Sequence, residues 1–118
     1  MPPQKKCRRV CFIPENREFT PEIGSNHRVI ISIEEAEAIR LTDLEEMEQA
    51  SAADEMNISR GTYQRILNSA RTKLADALIN GKAINIAGGN YEKSACSGKC
   101  KHCRHCHRHG SPCGKEHD

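Results

Sequence analysis

The sequence predicts a mainly α fold: a small helix-turn-helix domain of three helices, with a short two-stranded ribbon and a Cys/His-rich tail. Three observations predict it. Apolar residues recur at steps of three and four between Tyr63 and Leu78, the spacing of a helix with one buried face. Aromatic residues make up only 3% of the 118 residues and Trp is absent, so the core must be built from Ile, Leu, Ala and Met, which suits small helices. Five of the seven cysteines fall from Cys96 onward, among His, Lys and Arg. A chain this short buries one modest core, which excludes two full enzyme domains.

Residues 1–27 read as a basic irregular arm, because Pro2, Pro3, Pro14, Pro21 and Gly24 interrupt regular structure repeatedly. The helix-turn-helix domain is expected over residues 28–87. It opens with the β-branched run Val29, Ile30 and Ile31, a short extended segment. Ser32-Ile33-Glu34-Glu35 has the form of a capping box, in which the Ser hydroxyl and the Glu carboxylate satisfy backbone N–H groups left free at a helix start. The first helix then runs to about Leu44, with Ala36, Ile39 and Leu41 inward and Glu34, Glu35 and Glu37 expected in solvent. A second helix follows from about Glu48 to Met56, with Ala50, Ala53 and Met56 three apart on one side.

Asn57 ends that helix, since Asn tolerates the left-handed conformation better than most residues. Ser59 supplies an N-cap hydroxyl for the third helix, expected from Ser59 to Asn80. Its inward stripe is Tyr63, Ile66, Leu67, Ala70, Leu74, Ala77 and Leu78, and Gly81 closes it. Ala83 to Ala87 alternate in polarity and are expected to pair with residues 28–31. Gly88-Gly89-Asn90 reads as a hinge into the tail, residues 88–118.

The net charge of +2 conceals an uneven distribution. Residues 32–56 carry nine acids against Arg40 alone, net −8, whereas residues 57–82 carry five bases against Asp76 alone, net +4. A polyanion is attracted to the second of these segments and repelled by the first. No stretch approaches the roughly 20 apolar residues that cross a bilayer, and the first residues lack the apolar core of a secretory signal. The expected location is therefore cytoplasmic, with no membrane partner, and in a reducing cytosol a cysteine cluster reads first as a metal site.

Small Ala residues on the second helix let the third cross it closely, Asn57 makes the turn, and Ile58 plugs the angle between the helices. Arg60, Thr62, Gln64, Arg65 and Asn68 fall away from the apolar stripe of the third helix. Arg suits guanine and Gln or Asn suits adenine, while Ser59, Arg71 and Lys73 are placed to fix the register on backbone phosphates. The expected partner is double-stranded DNA. A single helix-turn-helix reads half a site, so a homodimer is expected as well. Lys5, Lys6, Arg8 and Arg9 either follow a phosphate backbone or form a solvated terminus. The competing reading of the helices is a three-helix bundle with a solvated charged face, and the abrupt charge reversal favours DNA.

Lys6-Cys7-Arg8-Arg9-Val10, Glu37-Ala38-Ile39-Arg40-Leu41, Ser59-Arg60-Gly61-Thr62 and Asn80-Gly81-Lys82-Ala83 together resemble a family of small bacterial and archaeal proteins. That family is domain of unknown function one-three-four, and the resemblance covers about residues 1–90. It implies a DNA-binding, transcription-factor-like module whose helix-turn-helix is similar to region four of sigma factors. The chain departs from the family pattern where a Gly, and then a Ser or Thr cap, precede the first helix of the motif. Here Glu46-Met47-Glu48 occupy that stretch, so the helix is expected to begin less sharply.

Cys96, Cys100, Cys103 and Cys106, followed by Cys113, are spaced closely enough to close one site. Four thiolates satisfy tetrahedral zinc, and the same spacing admits an iron–sulfur cluster. His102, His105, His107 and His109 can each replace a thiol, so the ligand set stays open, as does a tail that scavenges metal without a fixed site. Cys7 and Cys11 are plain small side chains unless the arm folds back onto the tail. Two functional readings follow. One is a DNA-binding transcriptional regulator whose metal-binding tail modulates binding. The other is a metal-binding accessory that docks on protein in metal-cluster assembly. No enzyme is expected, because no nucleophile-base-acid set and no phosphate-cradling glycine loop is present.

Overall fold

The computed structural model describes residues 8–94. In chain order it forms strands β1 (Arg8–Val10), β2 (Glu18–Phe19) and β3 (Arg28–Ile31), helix α1 (Ile33–Ile39) continued by a π turn (Arg40–Leu44), helices α2 (Gln49–Glu55) and α3 (Arg60–Asn80), and strands β4 (Ala83–Ile86) and β5 (Tyr91–Lys93). The three expected helices are all present. The strands go beyond the expected two-stranded ribbon.

β4 lies between β3 and β2 in a mixed three-stranded sheet. Residues 83–86 pair with residues 28–31 as the alternation predicts, in parallel, with Val29 opposite Ile84 and Ile31 opposite Ile86. A parallel pair needs a crossover connection, and here α1, α2 and α3 together are that connection. β2 adds antiparallel to the other edge, Phe19 opposite Ile84. Val29 and Ile31 are buried and Arg28 and Ile30 exposed, the two-residue period of a sheet with one covered face.

Residues 8–27, expected to be irregular, supply β1 and β2 instead. Their prolines fall between the strands: Pro14 precedes β2 and Pro21 follows it. β1 pairs in parallel with β5, and the Arg9 N–H donates to the Met56 carbonyl at 2.9 Å. Gly88 and Gly89, read as a hinge, lead directly into β5. Gly89 has φ +112, a backbone conformation that L side chains rarely adopt, and a Cβ there would run into Glu34 Oε1, so this loop calls for glycine.

α1 starts with the capping box that Ser32 and Glu35 predict. The Glu35 N–H donates to Ser32 Oγ at 3.1 Å, and the Ser32 N–H donates to Glu35 Oε1 at 2.9 Å. The expectation that Glu34, Glu35 and Glu37 face solvent is overturned, since all three are buried. α1 is wedged among β1, α3 and the 88–90 loop, so that polar positions as well as apolar ones meet protein. α2 begins at Gln49, its N-cap residue Glu48 makes no side-chain cap bond, and Glu46, two residues before the cap, has φ 60. That left-handed conformation costs an L-residue roughly 1–2 kcal/mol.

Two inward positions also differ from expectation. Ala52 and Ala53, with Met56, face the core, whereas Ala50 is exposed, because residues i, i+1 and i+4 share a helix face more closely than i, i+3 and i+6. Leu78 is 81% exposed, since α3 runs past the end of the core after Ala77. The core itself joins Val10, Val29, Ile31, Ile33, Leu41, Met56, Tyr63, Leu67 and Ile86, so the sheet, β1 and all three helices share it. Gly81 closes α3 with φ 66, its N–H donating to the Ala77 carbonyl.

Candidate nucleic-acid interface

The turn between α2 and α3 is fixed by three consecutive residues. Asn57 takes φ 59, a conformation Asn adopts more readily than most residues, and its N–H donates to the Asp54 carbonyl at 3.0 Å. Ile58 packs against the core, while its N–H donates to the Ala53 carbonyl at 3.0 Å. Ser59 Oγ accepts from the Thr62 N–H at 3.2 Å, which satisfies one of the free donors at the start of α3. α3 is held from below by Tyr63, Leu67 and Ala70, all fully buried.

Ser59, Arg60, Gln64, Arg65 and Asn68 are exposed on the opposite side, and Thr62 lies half-buried on the flank. The Thr62 hydroxyl bridges this row, accepting from Ser59 Oγ at 3.0 Å and from an Arg65 guanidinium nitrogen at 3.3 Å. Arg71 and Lys73 are placed differently. Arg71 makes a two-pronged pair with Asp43 at 2.7 and 3.2 Å, and Lys73 Nζ donates to Glu35 Oε1 at 2.9 Å. Their charge is directed at carboxylates of this chain.

The same is true in reverse of the acidic segment. Glu34 accepts from the Asn90 N–H at 2.7 Å, with Arg8 at 3.7 Å. Glu37 accepts from the Cys11 N–H at 3.0 Å and from Arg40 at 2.8 and 3.0 Å. Arg40 also pairs with buried Glu45 at 3.5 Å and donates to Cys11 Sγ at 2.8 Å. Glu35 accepts from Ser69 Oγ at 2.7 Å in addition to Lys73. Burial pushes the Glu35 carboxyl up, but the bonds from Ser69, Lys73 and the Ser32 N–H, with the Lys73 charge, outweigh it and hold the group below its ordinary range.

β1 brings two further cations to the turn. Arg8 lines a recess of about 380 Å³ with Asp54, Asn57, Ile58, Ser59 and Thr62. A second recess of about 410 Å³, also lined by Arg8, is shared with Glu34, Glu35, Arg65, Ser69 and Lys73. Arg9 donates to the Glu55 and Asp54 carbonyls at 2.9 and 3.1 Å, placing a cation at the C-terminal end of α2. The basic run around these residues was a visible signal. Their contacts with α2 were not, because those contacts span most of the domain in sequence.

The family described as "Protein of unknown function DUF134" matches residues 2–94. The chain belongs to the DUF134 family. Among its relatives is a UPF0251 protein of Ruminiclostridium cellulolyticum, 59% identical over 86% of this chain and 85% of the relative. A UPF0251 protein of Caldicellulosiruptor bescii is 52% identical over 87% of this chain and 74% of its own length. One of Clostridium botulinum is 45% identical over 98% of this chain and 81% of its own. No solved structure matches this DUF134 chain.

Cys96, Cys100, Cys103, Cys106 and Cys113 lie outside the described residues, as does Cys7. Among the described residues, no group of three His, Cys, Asp or Glu side chains is arranged to hold a metal ion. No described helix is long and apolar enough to cross a membrane.

Proposed function

We propose that this protein is a sequence-specific transcriptional regulator that binds double-stranded DNA with the first half of α3 in the major groove. The supporting observation is the row Arg60, Gln64, Arg65 and Asn68, exposed on a helix whose opposite side is locked into the core by Tyr63 and Leu67. Guanidinium and amide groups read guanine and adenine edges, and a rigid helix holds them in a fixed register. Ser59, Thr62 and Arg8 flank that row and serve the phosphates. Arg71 is the outer contact, since its exposed pair with Asp43 is weak enough for a phosphate to displace. Lys73 keeps its tie to Glu35. In this reading Cys96, Cys100, Cys103 and Cys106 hold zinc or an iron–sulfur cluster that modulates binding, which their spacing supports.

The test is selection from a random duplex library with the full chain, purified anaerobically, its metal content measured, with and without chelator. An enriched sequence is expected, with affinity falling steeply as salt rises because phosphate contacts release counterions. Arg65→Ala should weaken binding to that sequence by about 1–3 kcal/mol. No enrichment in either metal state rejects the proposal, and a flat salt response would identify the accessory reading, in which the helices dock on protein.

A further inference from the structure

The basic arm folds back onto the far end of the domain, and it carries a thiol with it. β1 runs in parallel beside β5, with Val10 opposite Lys93, and the Ser94 N–H donates to the Val10 carbonyl at 2.8 Å. Cys11 therefore sits beside the end of the described chain, and Cys96 follows Ser94 by two residues. Helix α1 and its π turn fix the position of Cys11. Its N–H donates to Glu37 Oε2 at 3.0 Å, and an Arg40 guanidinium nitrogen donates to its Sγ at 2.8 Å. Arg40 is itself held by Glu37, by Glu45 and by the ring of Phe12, whose centroid lies 5.9 Å away.

Cys11 is disulfide-bonded, and it is the one cysteine among the described residues. Strand geometry rules out Cys7 as its partner. Two cysteines on either side of an extended run of three residues, as Cys7 and Cys11 are of β1, have Cα atoms about 13 Å apart at the rise of a strand. A disulfide closes no more than about 7 Å between Cα atoms. The partner therefore comes from beyond Ser94, where Cys96 is the first thiol. Two residues of chain span at most about 7 Å, so Cys96 meets Cys11 at the smallest cost in chain entropy, whereas Cys100, Cys103, Cys106 and Cys113 need longer loops.

We propose that Cys11 and Cys96 form a reversible disulfide that ties the tail to the domain when the protein is oxidised. A thiolate of the pair attacks a low-molecular-weight disulfide and expels one small thiol, and the second thiolate attacks the mixed disulfide and expels the other. The two cysteines give up two electrons and two protons, and the small disulfide becomes two thiols. Excess small thiol reverses both steps, with the Arg40 guanidinium stabilising Cys11 as the departing thiolate. A sulfur in a disulfide is not a metal ligand, so oxidation also withdraws Cys96 from the set proposed to hold metal. That consequence rests on the metal reading, whereas the disulfide is independent of it and of DNA.

The test uses the full chain, reduced and stripped of metal by chelator, then treated with oxidised glutathione. Remaining thiols are alkylated and the protein is digested with trypsin without reduction, which places each of the seven cysteines in a different peptide. Peptide 10–17 is expected to be joined to peptide 94–99, in a protein that migrates as a single chain, and the link should disappear on reduction. The urea midpoint of the oxidised form should exceed that of the reduced form, because the bond constrains the unfolded chain. Cys11→Ser should abolish the link and most of that difference. Cys11 recovered as an alkylated thiol, joined to another cysteine or joined between two chains overturns the proposal, as does a urea midpoint that oxidation leaves unchanged.

Discussion

Tyr63 joins α3 to α1 through one atom. Its hydroxyl donates to the Ala38 carbonyl at 2.9 Å and meets the Thr42 hydroxyl, just where α1 widens into its π turn. Burial is the main cause that pushes its pKa from 10.0 to about 12, the Thr42 bond working against it and the Glu37 and Asp43 charges adding to it. The folded protein therefore keeps this proton at pH values where the unfolded chain has lost it. The resulting stability is complete below pH 10 and is lost as pH rises through about 12. Tyr63→Phe should cost about 1–2 kcal/mol at neutral pH through the unmade hydrogen bonds and flatten the alkaline slope, both read from urea titrations over that range. At this scale the sequence was partly legible. Asn57 sits at positive φ because Asn suits it, whereas Glu46 adopts the same conformation with no residue type to announce it.

Helix α1 shows what segment charge conceals. Its three glutamates were expected on a solvated face because their apolar neighbours trace a helical stripe, but each accepts from residues far away in sequence or from Arg40 within the turn. Caps and turns were legible because Ser32 with Glu35, and Ser59 with Thr62, act within three residues of one another. Lys73 and Asn90 carry no mark of their partners. Glu35 has the clearest pH consequence. Its folded pKa lies below the ordinary value of 4.5, so the stability it contributes is present above that pH and is lost as pH falls through the lower folded-state value. Glu35→Gln should lower stability at pH 7 by about 1–3 kcal/mol and leave a shallower acid limb, measured by denaturant midpoints from pH 7 downward. An unchanged acid limb would show that the Ser69 and Lys73 bonds carry no net energy.

The parallel pairing of β1 with β5 ties the beginning of the described chain to its end. Strands of three residues give no periodicity to read, so this closure was not legible, although the helices it encloses were. Val10 is fully buried in the shared core, and its burial alone is worth about 1.5–3 kcal/mol. A chain ending after Ala87 lacks β5, leaves β1 unpaired, and should lose at least about 2 kcal/mol on that account, checked by its urea midpoint against the full chain. The same pairing sets an order of events during synthesis. α2 and α3 assemble from neighbouring residues as they leave the ribosome, since local contacts form fastest. β1 emerges first and must wait for Lys93, almost the last residue of the domain. Until then β1 has no strand partner, so Val10 joins the core that already holds Tyr63 and Leu67 only as the domain closes.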